Sequence, residues 1–466
     1  MSLTNLEIYQ KDPDSHSLLN QGVAKVTGGR SESEMRTLAY ELSNFVCDGQ
    51  YAEGLVRILG DYLSHLDKPE QSGVWVSGFF GSGKSHLVKM LQHLWVDTDF
   101  PDGSKARGLA RLPEKVADLF RELSTKSRRA GGAHAAAGLL GGSGTGSVRL
   151  DLLSVVFQSV GLPSDYRTAN FLLWLRDKGW EEAVHAAIDR AGLDRAADLT
   201  NFYISDPIAA AILEQSPGFA NSPGDVKLLL EKQFPDRSDV SIDELVAKIQ
   251  QSVGGKKGKL PLTLIVLDEV QQYIGGDASR SMGVQELQEQ CCTRLGSNLL
   301  FVATGQNALS GTPLLQRLQG RFPVTVGLQD TDVEQVTREV VLKKKPSAEP
   351  ALRDLLAAHG GEIERHLVST KIGPTANDRS LLVTDYPILP VRRRFWERVL
   401  RAVDKTGTGA QLRSQLRVVF DAVRDTAHLP LGNVVGGAFI FDSVKPGILQ
   451  QGVLLQEISE NIARQS

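Results

Sequence analysis

Cysteine is scarce, with three residues in 466, at Cys47, Cys291 and Cys292. The adjacent pair has neither the spacing of a zinc site nor the pattern of a disulfide framework, which excludes both kinds of staple and suits a reducing cytoplasm. No apolar run approaches the roughly 20 residues that a membrane-spanning helix needs, and no charged-then-apolar leader opens the chain, so a cytoplasmic protein with no membrane partner is expected. Excess positive charge is also missing, the formal net charge being −3. That removes the bulk electrostatic case for nucleic-acid binding and leaves only local patches to argue from. What remains, at 41% hydrophobic and 23% charged, is the composition of an ordinary globular protein. The length predicts two or three domains.

Against that background one stretch is specific. Residues 78–85 read Gly78-Phe79-Phe80-Gly81-Ser82-Gly83-Lys84-Ser85, which is G-x-x-x-x-G-K-S, the phosphate-binding loop of P-loop NTPases. Gly78, Gly81 and Gly83 allow a backbone that takes positive φ and approaches an anion with no Cβ in the way. Successive N–H groups, including that of Ser82, then face phosphate oxygens. Lys84 brings a cation to the β- and γ-phosphates, and the Ser85 hydroxyl is suited to Mg²⁺. His86 follows in the first helical turn and is counted with the nucleotide-binding set. The context agrees: Val74-Trp75-Val76 reads as a buried strand, and Leu87, Met90, Leu91 and Leu94 recur at helical spacing, so the loop opens onto a helix N-terminus.

Ahead of this unit, Leu55, Ile58, Leu59, Tyr62, Leu63 and Leu66 mark an amphipathic helix that Pro69 closes. Gly49, Gln50 and Tyr51 before it are either a plain turn or a wall for an adenine base. Beyond it, residues 96–130 look helical but broken. Residues 131–147 are nearly all Gly, Ala and Ser, and Gly141–Gly146 within them reads as a flexible loop. That run lacks a G-K-[ST] ending and a β-rich run before it, so it is not a second phosphate loop. Residues 148–255 are helical in pattern and too long for one strand–helix–strand step, so a helical insertion is expected.

Leu262–Leu267 is an apolar run bounded by turn signals, the pattern of a buried parallel strand, and it ends in Asp268-Glu269. Ligands of open α/β sheets bind at the carboxyl ends of strands. There the first acid is expected to hold Mg²⁺ and the second to polarise an attacking water, while a helix N-cap is the alternative use of such a pair. Another buried strand, Leu299–Thr304, places Thr304 and Gln306 where they could orient that water. A short helix, residues 314–321, precedes a strand at 322–328, and Arg317 and Arg321 on it are suited to a neighbouring subunit's nucleotide. Thr331 and Glu334 form a capping box that opens a second, helical domain, with further helices at 390–404 and 411–425 and an apparent one at 447–463. Arg413 and Arg417 lie one turn apart on the second of these, where a basic residue of a lid could reach the phosphates. Lys126 with Arg128 and Arg129, Lys343–Lys345 and Arg392–Arg394 read as solvated.

With these pieces in place the chain resembles an AAA+-type P-loop ATPase. More narrowly, it is similar to the large P-loop protein family of BREX phage-defence systems (BrxC, called PglY in some branches). The resemblance rests on the stretches at 45–59, 74–91, 267–275 (LDEVQQYIG), 303–306 (ATGQ), 318–328 (LQGRFPVTVGL) and 386–391 (YPILPV). It implies an α/β, AAA+-like P-loop NTPase core with a parallel sheet, a helical insertion and a C-terminal helical lid. The expected division is an N-terminal helical segment (1–70), the ATPase core (71–330, insertion at about 148–255) and the lid with the start of a following region (331–466). It further implies ATP and Mg²⁺ as ligands and a homo-oligomer within a multi-protein complex that holds a methyltransferase and a phosphatase-like protein. DNA contact, direct or through partners, stays open. Members of the family are longer, so the chain is expected to be an N-terminal portion. Glu269 as base, with Arg321 acting in trans, points to ATP hydrolysis. The alternatives are a non-hydrolysing nucleotide-gated assembly switch or another AAA+ or STAND-type ATPase. A small-molecule kinase is disfavoured, because no second substrate signature is present.

Overall fold

Five strands form one parallel sheet: β1 (Val74–Gly78), β2 (Ala133–Leu139), β3 (Leu262–Asp268), β4 (Leu299–Gly305) and β5 (Val324–Leu328), in the order β2-β3-β4-β1-β5. The computed structural model describes residues 3–13, 31–78, 82–142, 144–254, 260–328, 331–365, 368–403, 412–439 and 442. The apolar runs of β3 and β4 are buried along their whole length, as a parallel sheet covered on both faces requires. Side chains alternate between the faces. Val74, Val76, Leu264, Val266 and Val302 pack with Leu55, Ile58, Leu59, Leu87, Met90 and Leu91 on one face. Trp75, Ile265, Leu267, Phe301 and Ala303 meet Leu152, Val156, Ile249, Leu287 and Cys291 on the other.

The helices after β1 and after β3 therefore cover opposite faces. The Lys84–Val96 helix belongs to the first face, and the Ala278–Leu295 helix to the second. Register puts Ser77 beside Gly305 and Gly78 beside Leu328, so the carboxyl ends of the strands share one rim. The chain after β4, the neighbour of β1, also packs on the second face through Leu309 and Leu315, so the connections after β1 and β4 part and open a crevice at that rim, the usual place for a ligand in a sheet of this kind.

The structure corrects the sequence reading at one strand and refines it in two further places. First, β2 lies just ahead of the Gly141–Gly146 loop, where the sequence shows no β-rich run. Its AHAAAGL sequence has no β-branched residue, and what makes it a strand is pairing in register with β3, Ala133 opposite Leu262 through Leu139 opposite Asp268. A strand thus does precede the Gly141–Gly146 run, which still lacks the Gly-Lys-Ser ending. Second, the helices of 148–253 do not have a separate core. Val148–Ser159 and Ile242–Val253 pack beneath the second face, and the aromatic cluster beyond them, with Phe171 and Phe202 stacked at 4.0 Å, continues the same apolar cluster. Third, the N-terminal 70 residues divide between two bodies. The Glu32–Ser43 and Gly49–His65 helices cover the first face of the sheet. Residues 3–10 instead join the C-terminal helices.

That N-terminal strap is stitched in by its backbone. Asn5 N–H donates to Leu429 O (3.0 Å), Leu6 N–H to Ala427 O (2.7 Å), Gln10 N–H to Lys343 O (2.9 Å) and Lys345 N–H to Ile8 O (2.8 Å). Ile8 and Tyr9 are buried among Leu342, Leu352, Tyr386, Trp396 and Val423. The basic runs read as solvated are partly interior. Lys344 is buried and donates to the carbonyls of Thr384 (3.0 Å) and Tyr386 (2.6 Å). Arg393 is buried against Asp385, and Arg394 grips Asp378 with two 2.7 Å hydrogen bonds. Arg128 and Arg129 are exposed, as expected. The helices at the end of the described chain, Pro390–Val403 and Leu412–Thr426, match their expected spans. The helix expected at 447–463 lies outside the described residues. Among the described residues no helix is long and apolar enough to cross a membrane.

Candidate functional site

At the rim, β1 ends in Gly78. Phe79, Phe80 and Gly81 lie outside the described residues, and the chain resumes at Ser82 and Gly83, the N-cap of the Lys84–Val96 helix. Gly83 has φ +88°, a backbone conformation that L side chains rarely adopt. Lys84 folds back so that its Nζ donates to Gly78 O at 2.7 Å, closing the ends of the loop on one another. Burial holds the Lys84 ammonium below its usual range, and the carboxylates of Asp268 and Glu269 pull in the opposite direction. Cation and acids thus face one shared space. Ser85 is half-buried in the first helical turn. The Ser82 hydroxyl is fully buried and has no hydrogen-bond partner among the described residues. A buried hydroxyl left this way costs about 1–3 kcal/mol, so it marks a place where a ligand atom would be welcome.

The acids come from the end of β3. Asp268 is buried, and its Oδ1 accepts from the Thr304 hydroxyl at 2.5 Å and from the Glu269 N–H at 3.1 Å. The Glu269 N–H also donates to Thr304 Oγ1 at 2.9 Å. Thr304 therefore ties the carboxyl ends of β3 and β4 together, a structural link that the sequence reading, which gave it to the attacking water, did not foresee. Glu269 sits at φ +54°, ψ 31°, a left-handed conformation that is unusual for a residue with a side chain. Its side chain is exposed at the rim. Partial desolvation, then the charge of Asp268, raise its pKa, and Lys84 opposes them. A raised carboxylate at a strained backbone position beside a cation is the kind of arrangement that proton-transfer sites use.

Gln306 is exposed just past β4. The loop it begins is held by neighbours: Asn307 N–H donates to Gln271 Oε1 (2.8 Å), and Trp75 Nε1–H donates to Asn307 O (2.9 Å). Gln271 was not singled out in the sequence, although its place two residues after the acid pair could have drawn attention to it. Tyr51 is the second residue that sequence reasoning placed differently. It does not lie in a turn. It is buried in the first turn of the Gly49–His65 helix, with its hydroxyl donating to Ser82 O at 2.8 Å.

Two of the expected residues, His86 and Arg321, lie outside this cluster. His86 packs edge-on against Phe45 with ring centroids 5.7 Å apart, and burial holds its pKa below the usual range. Arg321 lies at the opposite rim. Its carbonyl accepts from Gly73 N–H, one residue before β1, and its guanidinium pairs with Glu289 at 2.5 Å. A strand of this length separates it from the loop by roughly 15 Å. Arg317 is exposed nearby. Arg413 opens the Leu412–Thr426 helix, and its side chain lies outside the described residues; Arg417, one turn on, is exposed and 3.9 Å from Asp421.

The residues fit a magnesium nucleotide. A glycine N-cap, an orphaned buried hydroxyl and a lysine offer donors to phosphate. The Ser85 hydroxyl and the Asp268 carboxylate are hard oxygen donors, of the number that Mg²⁺ takes when phosphates and water complete its shell. Among the described residues no three His, Cys, Asp or Glu side chains gather into an all-protein metal cage. No family model matches the chain.

Proposed function

We propose that the chain is an ATPase that binds ATP with Mg²⁺ at the loop of Gly78–Ser85 and hydrolyses it with Glu269 as the base. The observation that carries this reading is the convergence of Lys84 with Asp268 and Glu269 at one rim of the sheet, where the Thr304 hydroxyl links the Asp268 carboxylate to the Glu269 backbone N–H. Lys84 binds and orients the terminal phosphates. Ser85 and Asp268 would hold Mg²⁺, which neutralises phosphate charge when bound. Glu269, with its pKa raised, takes the proton of the attacking water, and the pin from its N–H to Thr304 keeps its backbone in place while it does so. Arg321 acts on a neighbouring copy's nucleotide once its pair with Glu289 opens.

The AAA+ character rests on the order and polarity of the five strands, with the acid-bearing strand one place removed from β1, and on the helical domain that follows β5. That domain is the candidate lid. The wider role, as a homo-oligomeric component of a BREX phage-defence complex with a methyltransferase and a phosphatase-like protein, rests on the sequence resemblance, as does a cytoplasmic location. DNA contact belongs to the same proposal, made directly or through those partners.

The test is ATP turnover by wild type and Glu269→Gln across a range of protein concentrations, with nucleotide binding measured on the same samples. Turnover that rises steeply with concentration and vanishes in Glu269→Gln while binding persists is the expected result. Tight binding without turnover at any concentration would favour a nucleotide-gated assembly switch. Absence of binding would refute both.

A further inference from the structure

The Tyr51 hydroxyl reaches from a helix that precedes the sheet into the phosphate loop itself. It is buried and donates to Ser82 O at 2.8 Å. Its ring is held edge-on by Phe45, with centroids 6.2 Å apart at 87°, and Phe45 in turn packs on His86 of the next helix. The approach is close enough that a Cβ at Gly83 would stand 2.0 Å from the Tyr51 hydroxyl. Glycine at 83 is thus required twice, by the positive φ and by this contact.

A trans peptide is planar, with its C=O and the following N–H pointing in opposite directions. Fixing the Ser82 carbonyl on Tyr51 therefore fixes the Gly83 N–H on the far side, away from Tyr51. That N–H is one of the first four of the Lys84–Val96 helix, which have no intrahelical acceptor and form the anion-attracting end of the helix. A donor already turned toward its ligand loses less freedom on binding than one that must rotate into place.

We propose that Tyr51 is a positioning residue that presets the Ser82–Gly83 peptide for phosphate. The inference rests on the nucleotide-binding reading above and adds to it a residue outside the loop. The same helical turn is anchored on its other side. Asp48, its N-cap, accepts from Gly49 N–H at 2.8 Å and from Gln335 Nε2 at 2.6 Å. Gln335 belongs to Thr331–Val340, the first helix of the C-terminal domain. The strut thus stands between the phosphate loop and the helical domain.

The test is ATP affinity by calorimetry for wild type, Tyr51→Phe, Gly83→Ala, the double variant and Lys84→Ala, with thermal unfolding of each nucleotide-free protein. Tyr51→Phe deletes one hydroxyl and keeps the ring, so ATP should bind about three- to tenfold more weakly, the worth of one net hydrogen bond. The unfolding midpoint should move by less than about 4 °C. A merely structural hydroxyl would lower the midpoint and leave the affinity of the folded protein unchanged. Gly83→Ala should cost less affinity when combined with Tyr51→Phe than in wild type, because the Cβ then no longer meets the hydroxyl. A Tyr51→Phe affinity within twofold of wild type, or strict additivity of the two substitutions, overturns the proposal. If wild type binds ATP and Lys84→Ala does not, those results overturn the strut alone. If wild type fails to bind, or Lys84→Ala binds equally well, the nucleotide reading falls and the strut with it.

Discussion

Thr304→Val is the sharpest probe of how the acid pair is held. The substitution keeps a β-branched side chain of similar size at a fully buried position and removes only the hydroxyl. Two hydrogen bonds go with it: the one donated to Asp268 Oδ1 at 2.5 Å and the one accepted from Glu269 N–H at 2.9 Å. A bond to a charged acceptor contributes roughly 1.5–3 kcal/mol and a neutral one about 1. The Glu269 N–H retains Asp268 Oδ1 at 3.1 Å as a second acceptor, which offsets part of the loss. A destabilisation of about 2–3 kcal/mol is therefore expected for the sheet domain. Urea unfolding followed by tryptophan fluorescence reads it, since Trp75 and Trp95 are buried against the strands. Thr304→Ser, which keeps the hydroxyl, serves as the control and should lose about 1 kcal/mol, the value of one buried methyl group. Turnover by Thr304→Val should fall further than its ATP affinity, because the left-handed backbone of Glu269 loses its cross-strand anchor. A Thr304→Val protein as stable as Thr304→Ser, with equal turnover, would refute the reasoning.

Further expectations follow from the same contacts. Burial pushes the Lys344 ammonium down to about 7. Between that pH and the ordinary lysine range of about 10.4 the unfolded chain binds a proton that the folded chain does not. The stability of the C-terminal domain should therefore rise with pH from about 7 to 9 and level off below. Lys344→Met should flatten that slope in urea titrations at several pH values; an unchanged slope would remove Lys344 as its cause. For Glu269, a raised pKa predicts that turnover falls on acidification through a value above the ordinary carboxylate range of about 4.3, a limb that a pH–rate profile would locate. Ile8→Ala should cost the C-terminal domain about 2–5 kcal/mol, because the side chain is fully buried there, and native-state hydrogen exchange should show the loss in the helices of 349–426 rather than in the sheet. Glu289→Gln should weaken the hold on Arg321 and lower the protein concentration at which turnover sets in.

The sequence by itself determined the parts whose information is local. Gly78–Ser85 is a contiguous motif, and glycine at positive φ, lysine and serine carry their chemistry at fixed spacing. The runs ending in Asp268 and Thr304 announce buried strands because both faces of a parallel sheet are apolar, and the amphipathic spacing of Leu55 to Leu63 announces a helix. Tertiary structure alone decided what depends on distant partners. Ala133–Leu139 becomes a strand by pairing with β3, since short, unbranched side chains carry no β-preference of their own. Lys344 and Arg393 sit in runs of like charge that read as solvent-facing, and carbonyls and the Asp385 carboxylate from elsewhere in the chain make their burial tolerable. Arg321 was recognisable as a basic residue near a strand, but only the register of that strand puts it at the far rim. Residues 3–10 have no pattern that would assign them to partners some 330 to 420 positions later. Tyr51 was legible as a polar aromatic near a turn, and its partner, a backbone carbonyl in the phosphate loop, is information that no side-chain sequence contains.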